Sequence, residues 1–217
     1  ELTLGYCFNK SLDRVGFPAG LKHLTFGSNF QQSLDSVKLP QLQSLTFGTI
    51  FNQPLRNLPS SLRSLTLGAW YNQPLEAVEL PESLETLRLG HHYNRSLERV
   101  QFPCGLKTLI FGDAFNQSLE AVKFPATLQC LTFGDGFRKS MHNVVLPNLQ
   151  SLIFGWNSLI SSPDRWVHLK LPDNLQTLSI SRVGPAKLPG SLESLTVGCL
   201  RDLRLDSLLQ LRNLNFQ

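Results

Sequence analysis

A tetrad of the form Leu-x-(Leu/Phe/Val)-Gly recurs along the chain, beginning at Leu2, Leu24, Leu45, Leu65, Leu87, Leu109, Leu131, Leu152 and Leu195, with Leu178-Ser179-Ile180-Ser181 as a version that lacks the glycine. Successive starts are separated by 22, 21, 20, 22, 22, 22 and 21 residues, then by 26 and 17. A period this short leaves no unit able to bury an apolar face by itself, so the units must stack and share one elongated core. In Leu-x-Leu the two apolar side chains of an extended segment share a face and the middle residue takes the other. Stacking such segments predicts one parallel sheet, with columns of Leu and Phe inside.

Proline supplies the second periodic mark, at Pro18, Pro40, Pro59, Pro81, Pro103, Pro125, Pro147, Pro172 and Pro189. It fixes φ, removes a donor and biases the residue before it to extended geometry, so no helix runs through it. The side opposite the sheet is therefore expected to be extended or 3-10, with little or no α-helix. The alternation in Val37-Lys38-Leu39-Pro40, Val78-Glu79-Leu80-Pro81 and Val100-Gln101-Phe102-Pro103 predicts a short outer strand there. The glycine after each sheet strand is expected to serve a positive φ or a close backbone approach.

The units read Leu-x-x-Leu-x-(Leu/Phe)-Gly-x-x-Phe-Asn-Gln-(Ser/Pro)-Leu, as in Leu42 to Leu55 and Leu62 to Leu75. This pattern resembles the FNIP repeat, a short branch of the leucine-rich repeats. Phe-Asn stands at Phe8-Asn9, Phe51-Asn52 and Phe115-Asn116, with Tyr71-Asn72 and Tyr93-Asn94 as variants; Phe30-Gln31 and Phe137-Arg138 depart from it. The segment Leu149 to Leu159, with Asn157, matches the ordinary leucine-rich consensus. The resemblance implies a right-handed leucine-rich-repeat solenoid, mostly β, over 1–217 as a single domain of about ten units. Units are regular over 1–151 and irregular over 152–217, with an insertion near 159–168. Asn9, Asn52, Asn72, Asn94, Asn116 and Asn157 are expected to form a structural ladder, each side chain satisfying backbone groups of an adjacent turn.

Composition narrows the functional classes. Apolar residues make up 41% and charged residues 17%, and no apolar run reaches the roughly 20 residues of a spanning helix, so membrane insertion is not expected. The net charge of +4 is spread along the chain, unlike the clustered Lys and Arg of a nucleic-acid binder. Cys7, Cys104, Cys130 and Cys199 form neither a C-x-x-C pair nor a metal-ligand spacing, and such scattered cysteines favour a reducing, cytoplasmic compartment. The start Glu1-Leu2-Thr3-Leu4 carries no leader signature, and flanking sequence in a longer chain is expected. No Gly-rich phosphate loop, nucleophile motif or metalloenzyme motif occurs; neither catalysis nor a metal nor a cofactor is expected.

Function should then sit on residues that leave the core. The strand-centre column, Thr3, Thr25, Thr46, Thr66, Arg88, Ile110, Thr132, Ile153, Ser179, Thr196, and the column two residues earlier, from Glu1 and His23 through Ser44, Ser64, Thr86 and Thr108, are dominated by hydroxyls. Thr and Ser suit exposed β positions; a repetitive ligand such as a polysaccharide or an ice surface is the alternative, with Arg88, Ile110 and Ile153 interrupting the array. After the glycines, Trp70, His91, His92 and Asp113 join Arg88 on three neighbouring units and form a candidate protein-contact patch. Arg165 and Trp166, in the insertion, are a second candidate, since loops on rigid scaffolds commonly carry function. The leading expectation is a protein-interaction module whose partner is a protein; a structural subunit of a larger assembly is the third possibility.

Overall fold

A computed structural model describes residues 1–141, 143–156, 171–182, 188–199 and 211–216. Among the described residues, eleven strands form one parallel sheet in strict chain order. They are β1 (Leu2–Thr3), β2 (His23–Thr25), β3 (Ser44–Thr46), β4 (Ser64–Thr66), β5 (Thr86–Arg88), β6 (Thr108–Ile110), β7 (Cys130–Thr132), β8 (Ser151–Ile153), β9 (Thr177–Arg182), β10 (Ser194–Cys199) and β11 (Asn213–Phe216). Each unit is numbered by its strand. The register superposes equivalent letters, with Leu24 opposite Leu45, Leu45 opposite Leu65 and Leu65 opposite Leu87. The chain is a β-solenoid of leucine-rich-repeat type.

Three tight turns recur along the regular units, all three being present in units 1, 4, 5 and 6. The first comes after the glycine, where Tyr71 N–H donates to Gly68 O at 3.0 Å. The second lies on the far side, where Val37 N–H donates to Leu34 O at 3.0 Å and Val100 N–H to Leu97 O at 3.1 Å. The third starts at the proline, where Leu84 N–H donates to Pro81 O at 2.9 Å.

The expected outer strand is not there. Among the described residues no strand lies on the proline side, and its helical content is one 3-10 turn, Leu75–Ala77. The alternation of Val37 and Leu39 reflects two side chains packed on the core on either side of Lys38. It does not reflect a pairing strand, because the valine N–H is already bonded within its turn and the proline has none to give.

The core is continuous from Leu12 to Val197. Its corner column stacks Phe8, Phe30, Phe51, Tyr71, Tyr93, Phe115 and Phe137 with ring centroids 6.0 to 6.5 Å apart. Phe26, Phe47, Phe111, Phe133 and Phe154 fill the strand column and are each at most 3% exposed; burying one such ring contributes roughly 1.5–3 kcal/mol. Tyr71 and Tyr93 occur in units with Leu67 and Leu89 in the strand column, so the larger corner ring accompanies the smaller strand side chain.

Among the described residues no glycine has a positive φ, so the glycines after β2 to β8 serve close approach. A Cβ on Gly68 would collide with the Gly48 carbonyl oxygen, and one on Gly90 with that of Gly68. Two asparagines, Asn57 and Asn143, hold positive φ on the proline side, at 54° and 64°.

Candidate functional site

Two side-chain ladders hold successive units in register, and they frame every exposed surface. On the corner side, Asn52 Oδ1 accepts from Asn72 N–H at 2.9 Å, Asn72 Oδ1 from Asn94 N–H at 3.0 Å, and Asn94 Oδ1 from Asn116 N–H at 2.9 Å. Each asparagine thus serves the backbone of the next unit up the stack, from a half-exposed or, for Asn94, exposed position rather than from inside the core. Asn9 does the same for Gln31 at 2.9 Å and Asn116 for Arg138 at 2.9 Å. Gln31, one of the two departures from the pattern, keeps the ladder intact by accepting from Asn52 N–H through Oε1 at 2.7 Å. The residue after the ladder position often donates back: Gln73 Nε2 and Arg95 Nε reach the preceding asparagine carbonyls at 2.9 and 3.0 Å. Asn157 lies outside the described residues.

A second ladder, on the proline side, is not evident from the sequence motifs. Ser83 Oγ donates to the carbonyls of Ser60 and Leu62 at 2.7 Å each; Thr127 Oγ1 bonds Cys104 and Leu106 carbonyls, and Ser191 Oγ bonds those of Asp173 and Leu175. The signal available in the sequence is Pro-x-(Ser/Thr)-Leu at Ser61, Ser83, Thr127 and Ser191.

Between the sheet and the corner, a backbone rung fixes the two positions after each glycine: Trp70 N–H donates to Thr49 O at 2.9 Å and His92 N–H to Ala69 O at 2.8 Å. This alignment places Trp70 and His92 directly over one another, with ring centroids 4.0 Å apart and planes 22° from parallel. His91 meets His92 edge-on at 4.7 Å, and His91 Nδ1 lies 3.0 Å from Asp113 Oδ2. The other Asp113 oxygen accepts from Asp135 N–H at 3.2 Å. A chain of contacts therefore runs Trp70, His92, His91, Asp113 across units 4 to 6. Trp70 remains 54% exposed, and Ile50 continues its column toward unit 3 as another exposed apolar residue. Arg88 is exposed at the end of β5, between Thr66 and Ile110 in register, and makes no hydrogen bond, ion pair or ring contact with the other four. Arg165 and Trp166 lie outside the described residues.

The FNIP repeat signature matches residues 8–49, 40–70, 51–92, 71–114 and 115–157. The chain belongs to the FNIP-repeat family. A solved structure described as CroV588, a novel circular leucine-rich-repeat protein, is 27% identical and superposes over 99% of this chain with a TM-score of 0.69. The present chain spans 39% of the length of that one. A leucine-rich repeat protein from Bacteroides ovatus is 14% identical, with 89% of this chain and 74% of that one covered and a TM-score of 0.30. No curated protein matches. FNIP and leucine-rich solenoids are typically non-catalytic, and their shape is consistent with a protein-interaction scaffold.

Among the described residues no three His, Cys, Asp or Glu side chains converge as a metal site requires, and no helix is long and apolar enough to cross a membrane. Open depressions lie on the proline side, one lined by Val122, Phe124, Val145 and Pro147 among others. The exposed Cys104 thiol is held 3.2 Å from the Glu82 carboxylate, whose hydrogen bond and charge push its pKa up and make it a poor nucleophile.

Proposed function

We propose that this FNIP array is a non-catalytic binding module that engages a protein partner through the surface built by Trp70, Arg88, His91, His92 and Asp113. The observation that carries the reading is Trp70 itself: a large aromatic side chain 54% exposed, yet held in one orientation by the ring of His92 at 4.0 Å. A pre-ordered, exposed aromatic loses little entropy on binding and is the residue type that most often dominates interfaces. The neighbouring charges on Arg88 and Asp113 supply directional contacts around it. A repetitive ligand on the hydroxyl columns is the weaker reading. Thr3, Thr25, Thr46 and Thr66 stand in register, but Arg88 and Ile110 end the run.

The test is affinity capture from the source organism with the native array and with a Trp70→Ala/His91→Ala/His92→Ala variant, the melting temperatures of both being measured. Loss of a specific protein from the variant, without loss of folding, is the expected result. Equal recovery contradicts the assignment of the surface.

A further inference from the structure

We propose that this surface takes an extended acidic peptide, with a carboxylate on the Arg88 guanidinium and an apolar or aromatic side chain on Trp70 and Ile50; the proposal rests on the reading of that surface as partner-binding. The first support is a segregation of charge along the array. The exposed sheet positions and the two positions after each glycine in units 2 to 5 contain His23, Arg88, His91 and His92 and no carboxylate, whereas the same positions of units 6 and 7 contain Asp113 and Asp135, with Arg138 of the neighbouring corner donating to the Asp135 carbonyl at 3.0 Å. The acidic row closest to β5 in sequence is already satisfied: Glu85 is 3.2 Å from Arg63 and 2.9 Å from Lys107. Arg88 is exposed, and its side chain makes no hydrogen bond or ion pair among the described residues.

A guanidinium offers five donors in a fork that matches a carboxylate. The hydroxyls of Thr66, in register with Arg88, and of Thr86 and Thr108 lie beside it on the same sheet. Asp113 sets the direction of the peptide. One of its oxygens faces His91 and the other accepts from Asp135 N–H, so it offers little to a base and repels an acid. The segment must therefore run from Arg88 toward Trp70 and Ile50, away from unit 6. Units 3 to 5 span two strand spacings, about 10 Å, which is about three residues of extended chain. The carboxylate and the apolar side chain should thus be two or three residues apart. A nucleic acid is a poorer fit, because a polyanion needs several cations and in units 2 to 5 these positions hold one arginine and no lysine.

The probe is a displayed library of random decapeptides selected on the intact chain, followed by titration of a fluorescein-labelled winner. Arg88→Thr is the key variant, since it installs the residue that units 2 to 4 carry at that position, Thr25, Thr46 and Thr66, and leaves the strand undisturbed. Expected are Asp or Glu two or three residues from Phe, Tyr, Trp or Leu, and affinity weakened about tenfold or more in Arg88→Thr and likewise in Trp70→Ala. Peptides that need Trp70 but lack the acid, or that bind Arg88→Thr equally well, overturn this proposal and leave the surface as a binding site. Selection of no peptide that depends on Trp70 overturns both.

Discussion

Units 2 to 8 end their sheet strands after three residues, whereas β9 and β10 run for six. The two stretches share the register of their leucines, Leu152 opposite Leu178 and Leu178 opposite Leu195, so the difference lies in the residues just past the strand. In the FNIP units a Phe or Leu and a glycine come next, and the chain turns sharply over the carbonyl of the unit below. Beyond that turn the bonding between units passes from backbone pairs to asparagine side chains. Unit 9 has Ile180-Ser181 in place of Phe-Gly and advances only 17 residues to the next tetrad. With no aromatic corner to build, its backbone pairing continues to Arg182 opposite Cys199. Trp156 reaches toward the space beside it: a Cβ on Gly198 would stand 3.3 Å from the Trp156 ring. The FNIP corner therefore shortens the paired strand from six residues to three, keeps one backbone rung after the glycine, and gains a displayed pair of variable positions, which is where Trp70, His91 and His92 stand.

This comparison can be broken at several points. The largest effect is expected from Phe133→Ala, which removes a ring packed on Phe111 at 5.1 Å, Phe137 at 4.1 Å and Phe154 at 5.2 Å. Denaturant unfolding should register a loss of about 3–5 kcal/mol. Gly90→Ala comes next, at about 1–3 kcal/mol or more, because its Cβ meets backbone that has no room to give. Gly5→Ala, with nothing within 4 Å, is the matched control and should melt as the native chain does. A loss in both would point to a backbone conformation that needs glycine instead of the close approach.

Asn72→Ala should cost about 0.5–1.5 kcal/mol by removing the acceptor of the exposed Asn94 N–H. Asn72→Gln should recover most of that, since Gln31 already performs the same bond. The smallest effect at neutral pH is expected from the Tyr71→Phe/Tyr93→Phe pair, within about 1 kcal/mol, because both hydroxyls are buried without a hydrogen-bond partner. Alkaline titration separates this pair from the native chain. Burial raises both phenol pKa values above the ordinary 10.0, so the folded state keeps protons that the unfolded state releases. Stability is complete below that pH and declines as pH rises above it. The double variant should show a shallower decline; identical alkaline profiles would mean that the two rings are not buried as described.

The sheet and its core were legible because a repeated Leu-x-Leu can bury both leucines of every unit only by superposing them. The proximity of Trp70, His91, His92 and Asp113 was legible for the same reason: equal offsets from the glycine must fall into columns. The outer strand was misread, since Val-x-Leu before a proline satisfies period two equally well when the valine closes a tight turn. Spacing gives side-chain direction but says nothing about where an N–H is spent. The hydroxyl ladder of Ser83 and Thr127 escaped notice because a serine or threonine after proline reads as an ordinary turn residue. The isolation of Arg88 from the Trp70 chain of contacts depends on rotamers, which no period encodes.

Amide hydrogen exchange on Asn72→Ala tests the stitching of unit to unit most directly. The Asn94 N–H, one unit further along, should lose its protection while the amide of residue 72, still facing Asn52 Oδ1, keeps it. Loss of protection at residue 72 with Asn94 unchanged would reverse the direction of the ladder and contradict the register on which the surface map depends.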